Sequence, residues 1–280
     1  MPRPFKSEKI IEEQISESSL RCYNIGFDQN KFRLKPLLDI IADVIPEFSL
    51  GYYEGNSIPI TEARRRLREA ALRLYTTDKY SKRGEFGEVI LHLLLRDFCG
   101  TIPLLSKINF KDSTNTTVKG FDGIHIVNEG NAKKLWLGES KLYTSGVSGV
   151  KALAEDLKQH LNEDYLRKEF MLVSTKIHGS VPDRDYWLDL MHENNTLDAI
   201  FDGICIPMAC TYTSPLFKEH SDNTQEYLEA FVSECKSLEQ EFKHAKISTS
   251  VDIILMLLPI EDKNLLTSGL HDRLKNMQNI

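Results

Sequence analysis

The chain has 280 residues, 41% hydrophobic and 27% charged, enough apolar content to bury one sizeable core, with room for a small appended lobe. Its formal charge of −6 argues against a protein that holds nucleic acid through an overall basic surface. Five cysteines, an odd number set in mostly apolar stretches, point to free buried thiols in a reducing compartment rather than a disulfide framework.

Met1-Pro2-Arg3-Pro4-Phe5-Lys6 lacks the charged, apolar and small-residue succession of a secretory signal, so a cytoplasmic location is expected. Ser7 to Glu17 is charged and reads as a short helix or a disordered arm. Arg21 to Phe27 reads as a strand. Lys31 to Phe48 reads as an amphipathic helix, with Leu34, Leu37, Leu38, Ile41, Val44 and Ile45 inward and an end near Pro46. A Gly51 to Gly55 loop then closes a small N-terminal α/β extension, residues 1–55. The main domain is expected over 56–280, and the two can pack as one continuous domain.

Basicity is local. Thr61 to Arg83 holds eight basic residues (Arg64, Arg65, Arg66, Arg68, Arg73, Lys79, Lys82, Arg83) against three acids (Glu62, Glu69, Asp78), a net of +5. On a helix, Ala63, Leu67, Ala70, Ala71 and Leu74 form the apolar side and the arginines wrap the other. That face is either simply solvated or a phosphate-contacting patch, with Arg64, Arg65, Arg68, Lys82 and Arg83 as candidates.

Gly84 to Arg96 has helical length and period. At about 100° per residue, Glu85, Glu88, His92 and Arg96 share one narrow stripe, and Phe86, Val89, Ile90, Leu91, Leu93, Leu94 and Phe98 cover most of the rest. Carboxylates on so buried a helix are costly unless paired or bound to a metal. The stripe is therefore salt-bridged (Glu88 with His92, or Glu85 with Arg96), or else Glu88 reaches a metal from the side with Glu85 in reserve.

The chemistry concentrates in the next two segments. Gly120-Phe121-Asp122-Gly123-Ile124-His125-Ile126 alternates as a strand and puts Asp122 with Ile124 and Ile126, His125 opposite. Asn128-Glu129-Gly130-Asn131 has the composition of a hairpin turn. Leu135 to Leu142 alternates again, so that Leu135, Leu137, Glu139 and Lys141 share a face. A hairpin would let Asp122, Glu139 and Lys141 meet. Two carboxylates can hold a hard divalent cation, Mg²⁺ with Mn²⁺ as substitute, and leave positions for water and phosphate. A lysine beside them can position or deprotonate the attacking water and offset developing negative charge. Taken alone, Glu-x-Lys is also a common pair on an exposed strand.

Thr144 to Gly149 reads as a loop or linker, with Ser148 capping a helix to about Lys168. Phe170 to Val173 reads as a short strand. Phe201 to Thr213 reads as a longer one, placed at an edge or bulge by Pro207. Cys205 and Cys210 would fall on opposite faces of it. Glu226 to Lys246 and Leu265 to Met277 read as helices. Between them Val251 to Leu258 reads as a buried strand, its six-residue aliphatic run far short of a membrane span. The order strand, strand, helix, strand fits a restriction-endonuclease-like α/β fold, a mixed β-sheet flanked by helices. A phosphate-binding Gly-Lys-Ser/Thr loop and His-Glu-x-x-His are missing from the sequence, and Gly146-Val147-Ser148-Gly149 is one residue short of a nucleophile elbow.

Helix-Glu, strand-Asp, strand-Glu-x-Lys resembles the PD-(D/E)xK nuclease superfamily. Arg83-Gly84-Glu85-Phe86-Gly87-Glu88, Gly120-Phe121-Asp122-Gly123 and Leu137-Gly138-Glu139-Ser140-Lys141 narrow it to a resemblance to the HamA family, nuclease subunits of the bacterial Hachiman anti-phage defence system. The resemblance is densest between Tyr80 and Tyr143. It implies that Asp122 and Glu139 are metal ligands, Lys141 the catalytic lysine and Glu88 the accessory helix acid. It also implies DNA as substrate and a HamB-like helicase as partner. Phe121 stands where the superfamily name has proline, and the literal Pro182-Asp183 reads as a turn. Two other readings remain: a non-catalytic DNA- or partner-binding module, and a stand-alone restriction-type endonuclease, which a neighbouring methyltransferase rather than a helicase would favour.

Overall fold

A computed structural model describes residues 7–75, 84–110, 120–129 and 132–280. In chain order, β1 (Glu12–Ser16) and β2 (Leu20–Asn24) form a hairpin, and β3 (Phe27–Asp28) with β4 (Lys31–Phe32) a small ribbon. Helices α1 (Leu34–Asp43), α2 (Ile45–Leu50), α3 (Tyr52–Gly55), α4 (Ala63–Leu74) and α5 (Glu85–Phe98) follow. Next come β5 (Ile102–Ser106), β6 (Gly123–Glu129), β7 (Ala132–Tyr143), α6 (Gly146–His160), α7 (Glu163–Ser174), α8 (Arg184–Leu190) and α9 (Leu197–Ile200). The chain ends with β8 (Ile204–Thr213), α10 (Leu216–Glu219), α11 (Gln225–Lys243), β9 (Asp252–Ile260) and α12 (Lys263–Gln278).

Seven strands make one mixed sheet in the order β1-β2-β9-β8-β7-β6-β5, flanked by helices as the sequence leads one to expect. Pairing is parallel from β2 through β9 and β8 to β7, and antiparallel at both ends. β2 pairs directly with β9, so the sheet runs across the expected boundary near residue 55. Leu135, Leu137, Met208, Cys210, Leu255 and Leu257 are all almost fully excluded from water in the central strands. Such two-sided burial is what helices on both faces of parallel strands impose. The five cysteines are free, and all but Cys99 are buried.

Several elements differ from the sequence reading. Ser7 to Glu17 forms a 3₁₀ turn (Ser7–Lys9) and edge strand β1, whose Glu13 pairs with Arg21 at 3.1 Å. Charges on an edge strand keep it from pairing with another chain, so a polar composition does not preclude a strand there. Lys31 to Phe48 divides into α1 and α2. Pro46 opens the second helix rather than ending the first, because its missing N–H costs nothing in a first turn. Gly51 to Gly55 includes the single turn α3. The loop expected over Thr144 to Gly149 is mostly the start of α6, whose N-cap is Ser145, accepting from the Ser148 amide at 3.2 Å. That helix ends at His160. Phe170 to Val173 is helical within α7, where Leu166, Phe170 and Val173 recur at helical spacing and are buried. Pro207 lies in a central strand: the ladder to β7 passes from Trp136↔Cys205 to Glu139↔Met208 and skips Ile206 and Pro207, the latter having no N–H to donate.

Two contacts seat α5 and α6. α6 approaches β8 so closely that a Cβ at Gly149 would collide with the Cys210 sulfur. α5 is tied to α2 by a buried network in which Glu47 accepts from Arg96 Nη1 at 3.0 Å and lies 2.8 Å from His92 Nε2, while Arg96 Nε also donates to Asp97 at 2.7 Å. These are not the pairs expected within the α5 stripe; the counter-charges come from Glu47 in the N-terminal segment and from Asp97 beside the stripe.

Gly149→Val is expected to destabilise the protein by about 1–3 kcal/mol through overpacking, and Gly179→Ala, which meets open space, by less than about 0.5 kcal/mol, read from urea midpoints. Glu47→Leu should cost about 3 kcal/mol by leaving buried His92 and Arg96 short of an acceptor, with Asp97 limiting the loss. A neutral result by the same measurement would mean that the network does not hold α5.

Candidate active site

β7 presents a different helix on each face. Gly138, Ser140 and Leu142 point towards α5: a Cβ on Gly138 would meet Leu91 at 2.9 Å, and one on Gly87 would meet Ser140 Oγ at 3.3 Å. Glu139 and Lys141 alternate to the other face and meet α6, where Lys141 pairs with Asp156 and His160 Nε2 lies 3.9 Å from Glu139 Oε2. β6 pairs with β7 from Glu129↔Ala132 to Gly123↔Gly138, so the expected hairpin connection is confined to residues 130–131, outside the described residues.

One step past the last pair, Asp122 comes beside Glu139. It sits in a bend before β6, and its amide donates to the Gly138 carbonyl at 2.8 Å. Gly120, at φ +140°, begins that bend in a conformation that favours glycine. The packed Glu169 carboxylate leaves no room for a Cβ there.

The two carboxylates are 4% and 5% exposed, so their charge must be matched locally. Asp122 Oδ2 accepts from the Ser140 amide at 2.9 Å and its hydroxyl at 2.6 Å, and Oδ1 from Lys107 Nζ at 2.8 Å. Glu139 Oε1 accepts from Lys141 Nζ at 2.9 Å. Burial first, and the neighbouring Asp122 second, hold the Glu139 carboxyl well above its usual range, against the pull of Lys141 and Lys107. Burial alone would push both ammonium groups towards neutrality. Asp122, Glu88 and Glu139 outweigh it at Lys107, and Glu139 and Asp156 at Lys141, so both are held above the usual lysine value.

Asp122, Glu139 and Lys141 are thus brought together from separate strands. Glu88 is buried on α5 and acts on Lys107 alongside Asp122 and Glu139; Glu85 is also buried. Arg64, Arg65 and Arg68 are exposed on α4, which packs on α2 and α12. Much of the positive charge there is already matched: Arg65 pairs with Glu62 at 2.5 Å, Arg66 with Glu54 and Glu69, and Arg73 with Glu69 at 2.6 Å. Lys82 and Arg83 lie outside the described residues. His125 is fully buried, bonded to Thr101 Oγ1 at 2.7 Å and against the His92 ring, as a packed histidine rather than a ligand.

Among the described residues no three His, Cys, Asp or Glu side chains are grouped as a metal cage. Lys107 and Ser140 cover Asp122, and Lys141 covers one oxygen of Glu139. The donor chemistry nevertheless fits a hard divalent cation. Glu139 Oε2 is buried without a hydrogen-bond partner beside a second carboxylate, a costly arrangement that a cation would relieve.

Sequence reasoning missed Lys107, Asp156, His160, Tyr165 and Glu169, and the anchoring role of Ser140. The His160 ring packs between Phe121 (centroids 4.5 Å) and Tyr165 (4.6 Å). Glu169 accepts from the Phe121 amide at 3.4 Å. Apart from Ser140, none of these residues belongs to a local motif. The one available signal was helical spacing: Asp156 and His160 are four apart and so share a face.

The HamA family profile matches residues 3–274, from ahead of β1 to within α12. The chain belongs to the HamA family. No curated protein matches it. The match takes in all seven strands, so in this HamA protein β1 and β2 are as much part of the family fold as the strands that carry the carboxylates. Among the described residues no helix is long and apolar enough to cross a membrane.

Burial lowers the His160 pKa to about 4 from an ordinary 6.5, despite the opposing Asp156 and Asp122 charges. In that window the unfolded chain binds a proton that the folded chain does not. Stability is therefore full above it and is lost as pH falls through it, by on the order of 3 kcal/mol at the acid end. His160→Phe keeps an aromatic ring in the stack and should remove this part of the slope in urea midpoints. An unchanged slope would mean that His160 is already protonated in the folded protein.

Proposed function

We propose that this protein is a Mg²⁺-dependent deoxyribonuclease, an endonuclease of a Hachiman anti-phage defence complex that receives DNA from a helicase partner. The observation that carries the reading is the pairing of Asp122 and Glu139, both buried, with Lys141 on the Glu139 face and a bare carboxylate oxygen between the acids and α6. HamA family membership supports a place in Hachiman defence.

When bound, Mg²⁺, or Mn²⁺ in its place, polarises a phosphoryl group and eases ionisation of water. Asp122 and Glu139 would hold it, with Glu88 as accessory acid on the Lys107 side. Asp122 is fixed for this by the Ser140 amide and hydroxyl, which leave its carboxylate little freedom to turn. Lys141 is kept protonated by two acids, so its role is to donate a hydrogen bond and offset negative charge on the phosphate rather than to take a proton. α5 and α6 close both faces of β7 around the acids and exclude bulk water, which strengthens each of these interactions. The net charge of −6 and the acid-matched arginines of α4 support delivery of DNA by a partner rather than capture by this chain alone.

Plasmid cleavage with Mg²⁺ tests the reading, using wild type, Glu139→Ala and Lys141→Ala with and without the helicase. Each substitution should lower cleavage by roughly a hundredfold or more, and wild type should need the helicase for full activity. Cleavage that survives Glu139→Ala would overturn the site, and strong cleavage by the isolated chain would overturn the dependence on a partner.

A further inference from the structure

Lys107 stands immediately after β5, and the β5–β6 ladder closes at Ser106↔Gly123. The next position therefore sets Lys107 against Asp122, and the two are joined twice. The Lys107 amide donates to the Asp122 carbonyl at 3.0 Å, and Nζ donates to Oδ1 at 2.8 Å. Its side chain is 20% exposed against 5% for Asp122, so it lies nearer the surface than the acid it pairs with. Ser140 takes both hydrogen bonds to Oδ2, while Lys141 is committed to Glu139 and Asp156. Among the described residues, Lys107 is thus the cation that compensates Asp122. It fills the one Asp122 oxygen that Ser140 leaves open.

We propose that Lys107 is a built-in counter-ion of the carboxylate pair, a positioning residue whose ammonium holds Asp122 in place and competes with a divalent cation for Oδ1. The inference rests on the metal-site reading above. In the metal-free protein the ammonium offsets repulsion among Asp122, Glu139 and Glu88, all of which act on it. A divalent cation sharing Oδ1 needs the ammonium to swing aside, and the four-carbon stem permits this. Lys107 stabilises the empty site and weakens its occupation. Low resting occupancy of a defence nuclease is the functional consequence.

The test measures Mn²⁺ binding by the electron paramagnetic resonance signal of the free ion. Urea midpoints with and without Mn²⁺ accompany it, for wild type, Lys107→Met, Lys107→Arg and Glu139→Ala, with far-UV circular dichroism to verify folding. Lys107→Met should bind Mn²⁺ about tenfold more tightly or better, since a nearby positive charge is removed. Its midpoint should fall without metal and recover when Mn²⁺ is added. Lys107→Arg, which keeps the charge, should stay near wild type. Lys107→Met binding with wild-type or weaker affinity, or a midpoint lowered equally with and without Mn²⁺, would overturn the proposal in favour of a merely structural lysine. Failure of the metal-site reading is distinct: either no protein binds Mn²⁺, or Glu139→Ala binds it like wild type, and then both inferences fall.

Discussion

Two carboxylates held side by side and nearly out of water are the constraint on which the rest of this structure depends. Burial and the neighbouring Asp122 act in the same direction on Glu139 and raise its carboxyl, so the pair needs compensating charge close by. The fold answers from three places. Lys107 comes from the end of β5, Lys141 and the Ser140 amide from β7, and the carboxylate that steadies Lys141 from α6. Among the described residues, Lys107 and Ser140 take up the oxygens of Asp122 and Lys141 takes up Oε1 of Glu139, and Oε2 of Glu139 is left bare. That oxygen is what makes the cluster a candidate cation site rather than a closed salt-bridge network.

Compensation of this kind requires the helices to come close to the sheet. Small residues at Gly87 and Gly138 let α5 lie against β7 next to Ser140, and Gly149 does the same for α6 against β8. The position of α5 is fixed at its other end by Glu47, which gathers His92 and Arg96 from the helix's polar stripe. The polar stripe of α5 thereby serves two ends: Glu88 faces the Lys107 cluster, and His92 with Arg96 anchors the helix to α2. β1 and β2 complete the sheet beside β9, so residues ahead of α1 belong to the same body that carries the acids.

Much of the core was legible from pattern. Alternation in Gly120 to Ile126 and Leu135 to Leu142 located β6 and β7, and helical period located α5, α11 and α12, because polar residues recur in them at the strand or helical period even where, as in α5 and β7, nearly every position is buried. Reading failed where a local preference yielded to packing. Pro207 reads as an edge signal, yet β8 is central because one missing ladder bond costs less than exposing so apolar a strand. Phe170 to Val173 reads as a strand because four residues are too few to reveal a helical period. Pro46 reads as a stop but serves as a start, since proline is equally at home just after one helix and in the first turn of the next.

The sequence by itself determined which polar groups come together at β6 and β7. An acid ahead of one strand and an acid and lysine two apart on the next must converge once those strands pair antiparallel, because strand alternation fixes their faces. It also determined that Glu88 lies on a buried helix. Tertiary structure alone decided what surrounds those groups. Lys107 meets Asp122 through the β5–β6 register, Asp156 and His160 arrive on a helix that crosses the opposite face, and Glu47 reaches α5 from 45 residues upstream of His92. Such partners are chosen by proximity in space, which no local spacing encodes. They supply the hydrogen bonds and counter-charges that surround the acids.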